Sequence, residues 1–201
     1  MTASERDVGR FNRWAATYDR HYLQRKVFEP VQKTLLEVAV SEVQGANAIL
    51  DVGCGTGRLL RSAESLFPDA RLEGVDAAPE MVATAKSALG VESRITVRQG
   101  TAEELPFGDG DFDLVFSTMT FHHWADQRRG VAEVGRVLGA DGRWLLADFV
   151  PTGLLRLVMS RRFPRRAVLE RMVGEVGLEV KSQRPVAGLG GQVLVLVIGR
   201  R

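Results

Sequence analysis

Ile49-Leu50-Asp51-Val52-Gly53-Cys54-Gly55-Thr56-Gly57 is the stretch on which the fold of this 201-residue chain turns. Ala48–Val52 is a short apolar run halted by glycines, the pattern of a strand buried on both faces. The glycines at 53, 55 and 57 permit positive φ and let a ligand approach the backbone without meeting a Cβ. A helix is expected to follow over residues 56–67. Such a turn lies at a strand's carboxyl end, where open α/β sheets bind their ligands. The spacing discriminates further. A dinucleotide fingerprint wants Gly-x-Gly-x-x-Gly, with its third glycine at position 58, and this chain has Arg58. The shorter spacing, with Asp51 just ahead of it, points away from a pyrophosphate and toward a ligand with an amino-acid head.

Outward from that turn the chain alternates strand and helix. Strands are expected at 71–75, 95–99, 113–117 and 143–150, and helices at 79–88 (opened by Pro79), 128–138 and 164–176. Upstream, residues 8–22 and 27–44 read as two helices, the second with Pro30 near its start, where proline is tolerated. The alternation predicts a mostly parallel, doubly wound sheet covered on both faces. Residues 178–186 and 192–199 are β-rich and separated only by a short glycine-containing connection, so they should pair antiparallel as a hairpin. A dehydrogenase would more often continue with another crossover helix. Asp76, at the end of the second strand and about 20 residues past the loop, can accept from both hydroxyls of a ribose. Its alternative is to cap the helix that opens near Pro79.

Composition narrows the class. The chain is 45% hydrophobic and 26% charged, as a single globular domain is. With one cysteine there is neither an intrachain disulfide nor a thiolate metal cluster. The first residues lack the apolar core of a signal peptide, and no apolar run reaches the roughly 18 residues of a membrane span, so the expected location is cytoplasmic. The formal net charge of +2 is uneven. Residues 151–201 carry 10 Lys or Arg against 3 Glu, and residues 1–150 carry 17 against 22 acidic residues. Such asymmetry can mark an anionic partner, but the plainer reading is a solvated basic face beside an acidic nucleotide site.

Three ordered segments carry a family resemblance: LDVGCGTG, then GVDAAPEMVATAK, then GTAEELPFGDGDFDLVFSTMTFHHWADQRRGVAEVGRVLGADGRWLLADF. With the opening Phe11-Asn12-Arg13-Trp14-Ala15-Ala16-Thr17-Tyr18-Asp19, residues 11–150 resemble class I S-adenosylmethionine-dependent methyltransferases, nearest to the quinone-biosynthesis type of small-molecule enzyme. The resemblance implies one Rossmann-like domain over residues 1–201, with N-terminal capping helices at 8–44 and a short acceptor lid at 151–163. It implies S-adenosyl-L-methionine as cofactor, with Asp51, Gly53, Cys54 and Gly55 along its methionine and ribose. Asp76 would hold the ribose, Ala77 and Met81 would pack near the adenine, and Thr101, Ala102 and Glu103 would meet the adenine edge. Ser117 would border the methionine, and Tyr18 would lie nearest its carboxylate. The family commonly has aspartate where this chain has Thr101, so the adenine amino group would meet a neutral acceptor here.

His122 and His123 follow the fourth strand. In an extended segment adjacent side chains point apart and make poor shared metal ligands, so no metal site is expected. His123 is the candidate general base, because Trp124 beside it offers an apolar wall that would keep it neutral. Loop packing is the competing role. Cys54 is read as a small residue in a tight loop, since displacement at a sulfonium needs no enzyme nucleophile. Phe11, Trp14, Tyr18 and Tyr22 form one helical stripe, either packing on the domain or closing over the cofactor. Leu154, Leu155, Leu157, Val158 and Met159, followed by Arg161, Arg162, Arg165 and Arg166, suit an acidic or membrane-associated acceptor, a dimer face or an ordinary amphipathic helix.

The expected function is therefore methyl transfer to an O, N or C atom of a small molecule by in-line displacement, leaving S-adenosyl-L-homocysteine. A non-catalytic cofactor-binding subunit is the alternative, and a nicotinamide oxidoreductase ranks third. Nucleic acid is not the expected acceptor; homodimerisation and peripheral membrane association stay open.

Overall fold

The computed structural model describes residues 3–22, 24–150, 162–189 and 192–201. Seven strands form one sheet in the order β3-β2-β1-β4-β5-β7-β6. They are β1 (Ala48–Val52), β2 (Arg71–Asp76), β3 (Ile95–Gln99), β4 (Phe112–Thr118), β5 (Leu138–Phe149), β6 (Leu178–Pro185) and β7 (Val193–Arg200). The first five run parallel, and β7 enters antiparallel between β5 and β6. The expected Rossmann-like, mostly parallel sheet with a terminal hairpin is what the chain forms.

Strand periodicity builds two cores. Ile49, Leu114, Phe116 and Leu145 face one side, with α2 (Glu29–Glu42), α3 (Arg58–Leu66) and α4 (Pro79–Ser87) packed over them through Leu35, Leu60 and Ala85. Leu50, Val115, Trp144 and Leu146 face the other, beneath α5 (Gln127–Val137) and α6 (Arg166–Glu175) through Val131, Val134 and Met172. Every residue of β1 is buried because it is covered on both faces, which is why it reads as an unbroken apolar run.

The chain winds outward from β1 to β2 and β3, then returns to place β4 on the other flank of β1. Between the carboxyl ends of β1 and β4 lies the topological switch point, where an open α/β sheet leaves a crevice.

Several boundaries differ from the sequence-based expectation. The N-terminal helix α1 spans Ala3–Trp14 and then tightens into a 3₁₀ turn, Ala15–Arg20. It begins earlier than residue 8, and Asp7 on it is buried against His123 and Arg162. The change of pitch breaks the aromatic stripe. Phe11 and Tyr18 pack against Ala15, Ala78 and Met81, but Tyr22 is 68% exposed and Trp14 is 41% exposed. The second helix enters through a π-helical turn, Gln24–Phe28, before α2 proper. The third helix starts only at Arg58, after Gly57 at φ +72°. Helix α5 runs straight into β5, so that strand begins at Leu138 and not at 143. The expected lid at 151–163 lies outside the described residues up to 161, as do Leu154, Leu155, Leu157, Val158, Met159 and Arg161.

Candidate active site

Two cavities meet at the switch point. A cleft of about 790 Å³, open mouth included, is walled by the glycine loop, the ends of β1, β2 and β4, the turn after β3, and α1. A chamber of about 720 Å³ adjoins it. Phe11, Tyr18, Met119 and His123 line both.

The cleft is set by backbone. Gly53 and Gly55 stand at φ +80° and +54°, a region that L side chains rarely adopt. Gly53 is also pressed by the crossing chain, since a Cβ there would meet Thr120 Oγ1 at 2.1 Å. The Gly55 N–H donates to Asp76 Oδ2 at 2.8 Å, and the Ala78 N–H donates to Asp76 Oδ1 at 2.8 Å. Asp76 is thereby held at the end of β2 on the border of the cleft; it takes the N–H of Ala78, the residue just before α4, and makes no side-chain cap on that helix. Burial pushes its pKa up against those two N–H contacts.

Asp51 lies beneath the loop, 2% exposed, and does not border the cleft. Its Oδ1 is buried without a hydrogen-bond partner. Burial first, and the neighbouring Asp76 second, lift its pKa to about 8. Two carboxyl groups crowded behind a glycine loop favour a cation in front of it. Cys54 turns away as well. Its thiol packs under Gly74, where a Cβ would meet Sγ at 2.9 Å, and burial raises its pKa.

Ala77, Met81, Thr101, Ala102 and Glu103 all border the cleft, with Thr101 exposed at its rim and Met81 buried at its base. Ser117 does not. Strand alternation turns it into the sheet, where its hydroxyl accepts from Trp144 Nε1 at 3.1 Å, and its neighbour Thr118 faces the cleft instead. Met119, at φ 56°, is the one non-glycine residue in the left-handed region among the described residues, and it sits at the junction of the two cavities.

The chamber is walled by side chains, mostly aromatic: Phe11, Trp14, Tyr18, Phe28, Phe149 and the imidazoles of His122 and His123. Burial leads the causes that push the Tyr18 phenol up to about 12, so it is a neutral hydrogen-bond donor there. The 3₁₀ turn that carries it is tied down by Asp19, which accepts from the Thr56 hydroxyl at 2.7 Å. Asn12 accepts from the Glu80 N–H at the head of α4 at 3.2 Å. The Phe11–Asp19 segment thus docks directly on the glycine loop and the head of α4.

His122 and His123 occupy a 3₁₀ turn, Phe121–His123, not an extended segment, and their rings lie 3.9 Å apart. Each is nonetheless held by its own carboxylate. His122 Nδ1 lies 2.8 Å from Asp148 Oδ1, and His123 Nδ1 lies 2.8 Å from Asp7 Oδ2. Arg162 and Arg10 also hold Asp7, at 3.0 and 3.3 Å. Burial would raise the Asp7 pKa, but His123 and Arg162 together bring it below the ordinary value. Burial chiefly, and His122 next, push the His123 imidazole down to about 4. The aromatic ring packed on His123 is Phe11, at 5.1 Å, and not Trp124 as expected. Trp124 borders the cleft and stacks within 6° on Trp144, with Gly130 of α5 leaving it room.

Asp7, Asp19, Met119 and Asp148 were not singled out from sequence, and Arg162 was read only as part of a basic cluster, not as a partner of Asp7. Asp148 alone had a usable signal, since it ends a strand at the ligand side as Asp76 does.

Residues 50–146 match the methyltransferase domain family. That stretch, from β1 to β5, is similar to methyltransferase domains. The chain is 39% identical over 140 residues to a malonyl-[acyl-carrier protein] O-methyltransferase of Geobacter sulfurreducens, covering 69% of this chain and 51% of that protein. It is 38% identical over 122 residues to a demethylmenaquinone methyltransferase of Thermus thermophilus, covering 58% and 54%. The chain therefore spans about half the length of the curated relatives it matches. Among solved structures, a methyltransferase bound to the Trm112 activator of Haloferax volcanii superposes with a TM-score of 0.78 at 22% identity, over 94% of this chain and 96% of that one. The matched methyltransferase domain contains the glycine loop, Asp76 and both histidines. Most of the chamber wall, from Arg10 to Phe28, lies upstream of it. No helix among the described residues is long and apolar enough to cross a membrane.

Proposed function

We propose that this protein transfers a methyl group from S-adenosyl-L-methionine, bound in the cleft, to a small molecule held in the adjoining aromatic chamber. The observation that carries the reading is Asp76 at the end of β2. A carboxylate on the border of a cleft walled by glycines at positive φ suits a ribose, and the bare main chain beside it admits a methionine chain. The two-sided grip on Asp76 supports the ribose assignment, because each carboxylate oxygen keeps a lone pair free of the backbone N–H it accepts.

In this reading Asp76 holds the ribose, and Gly53 and Gly55 admit the methionine chain. Ala77, Met81, Thr101, Ala102 and Glu103 surround the adenine, and Tyr18 donates near the carboxylate. Cys54 and Ser117 act only as packing. The cofactor supplies a methyl already activated by its positive sulfur, so the protein's task is alignment and exclusion of water. Met119 and Phe11, shared by both cavities, would set the line between donor and acceptor.

S-adenosylhomocysteine should raise the melting temperature of the purified protein, and NADH should not. Methyl-tritiated cofactor should then label a component of a small-molecule library. A shift with NADH alone would overturn the cofactor. Binding of S-adenosylhomocysteine without label transfer to any acceptor would favour a non-catalytic binding protein.

A further inference from the structure

The two histidines at the end of β4 have carboxylate partners of different quality. Asp148 turns both oxygens to His122 Nδ1, at 2.8 and 3.0 Å, and also accepts the backbone N–H groups of His122 and Phe149. Among the described residues no arginine or lysine pairs with it. The carboxylate of Asp7 is instead divided between His123 and two guanidinium groups. A positive charge forming on His123 would arise beside cations already neutralising its partner, whereas one forming on His122 would face a carboxylate of its own.

Both carboxylates fix the same tautomer, with Nδ1–H donating and Nε2 carrying the lone pair. The surroundings again separate the rings. His122 borders the chamber but not the cleft, and it stacks on Phe163 at 4.5 Å and 21°. That stack and Asp148 fix the ring on one face and one edge. A hydroxyl held in the chamber would have both imidazoles on its wall, since His122 and His123 both line it.

We propose that His122, oriented by Asp148, is the base that takes the proton from the acceptor, and that His123 stays neutral as part of the wall. This rests on the methyltransferase reading given above. As the acceptor O–H bond breaks, its proton passes to His122 Nε2 and its electron pair stays on oxygen. That oxygen bonds the methyl carbon while the carbon–sulfur pair withdraws onto sulfur, which becomes neutral. The imidazolium, facing Asp148, later releases its proton to water.

The test uses the intact protein saturated with S-adenosylhomocysteine, whose binding is first established by calorimetry, so that loss of cofactor binding is distinguishable from failure of the base. The probe is 4-nitrophenol, whose anion absorbs visible light and whose neutral form does not. About one unit below the probe's own pKa, the wild type should hold it as the anion. His122→Gln should bind it within about threefold and hold it neutral, and His123→Gln should still hold the anion. A probe that binds wild type neutral, fails to bind, or loses ionisation only in His123→Gln overturns the proposal. Long-range ¹⁵N–¹H spectra of the wild type need no variant: the Nδ1–H tautomer is expected on His122, and the Nε2–H tautomer contradicts the base.

Discussion

The cleft and the chamber share a wall yet are built by different means. The cleft takes its shape from main chain: glycines at positive φ, two amide N–H groups on Asp76, and strand ends that the sheet holds in register. The chamber takes its shape from side chains on α1, the 3₁₀ turn, the π-helical turn and the end of β5, joined by contacts as remote as Asp7 to His123. A backbone cradle specifies one ligand and tolerates little change. A wall of aromatic side chains can be recut without disturbing the sheet, so one cofactor half can serve many acceptors.

The strongest test of the cleft as a strained, cation-seeking site is its response to pH. Between about pH 4 and 8 the folded protein keeps the Asp51 proton that the unfolded chain has released, because burial lifts the group to about 8. Stability without ligand should therefore fall as pH rises through that window, by about 1.4 kcal/mol per unit at most. Asp51→Asn should flatten the profile in urea melts at several pH values. An equally steep fall in the variant would show that the proton sits elsewhere.

The glycines sharpen the comparison next. Gly53→Ala adds a Cβ against Thr120 at a positive φ, and should cost about 2–5 kcal/mol of stability from strain and overpacking together. Gly55→Ala meets no neighbour within 4 Å and should cost only about 1–2 kcal/mol. Equal losses would mean that the crossing of the two loops is looser than described.

On the chamber side, Trp14→Ala should weaken 4-nitrophenol binding about three- to tenfold, since an aromatic contact is worth about 0.5–1.5 kcal/mol. S-adenosylhomocysteine affinity should hardly move, and a matching loss there would dissolve the distinction between the cavities. The smallest effect belongs to Thr101 at the cleft rim. Thr101→Val should lose about 0.5–1.5 kcal/mol of cofactor binding, and Thr101→Asp should keep or tighten it. Identical affinities in all three proteins would put the adenine elsewhere.

The same division explains what could be read from the chain. The sheet, its hairpin and the glycine loop were legible because each depends on neighbours in sequence: an apolar run, a glycine spacing, an acid closing a strand. Helix ends shifted where the pitch changed, at Ala15 and again before Glu29, because 3₁₀ and π turns leave no separate mark in hydrophobic periodicity. Ser117 was misplaced by one residue of strand alternation, which is enough to move a side chain to the other face. Of the carboxylates that hold the histidines, Asp148 closes a strand as Asp76 does, but Asp7 left no mark in the sequence. Asp7 looks like any polar residue near a helix start until folding brings it to His123.

The central claim is a cofactor ribose held by Asp76 at the switch point, and calorimetry of S-adenosylhomocysteine on folded wild type and Asp76→Ala tests it most directly. Losing hydrogen bonds to a charged carboxylate should cost about 1.5–3 kcal/mol, weakening binding on the order of ten- to a hundredfold. Unchanged affinity in a folded Asp76→Ala protein would contradict the account.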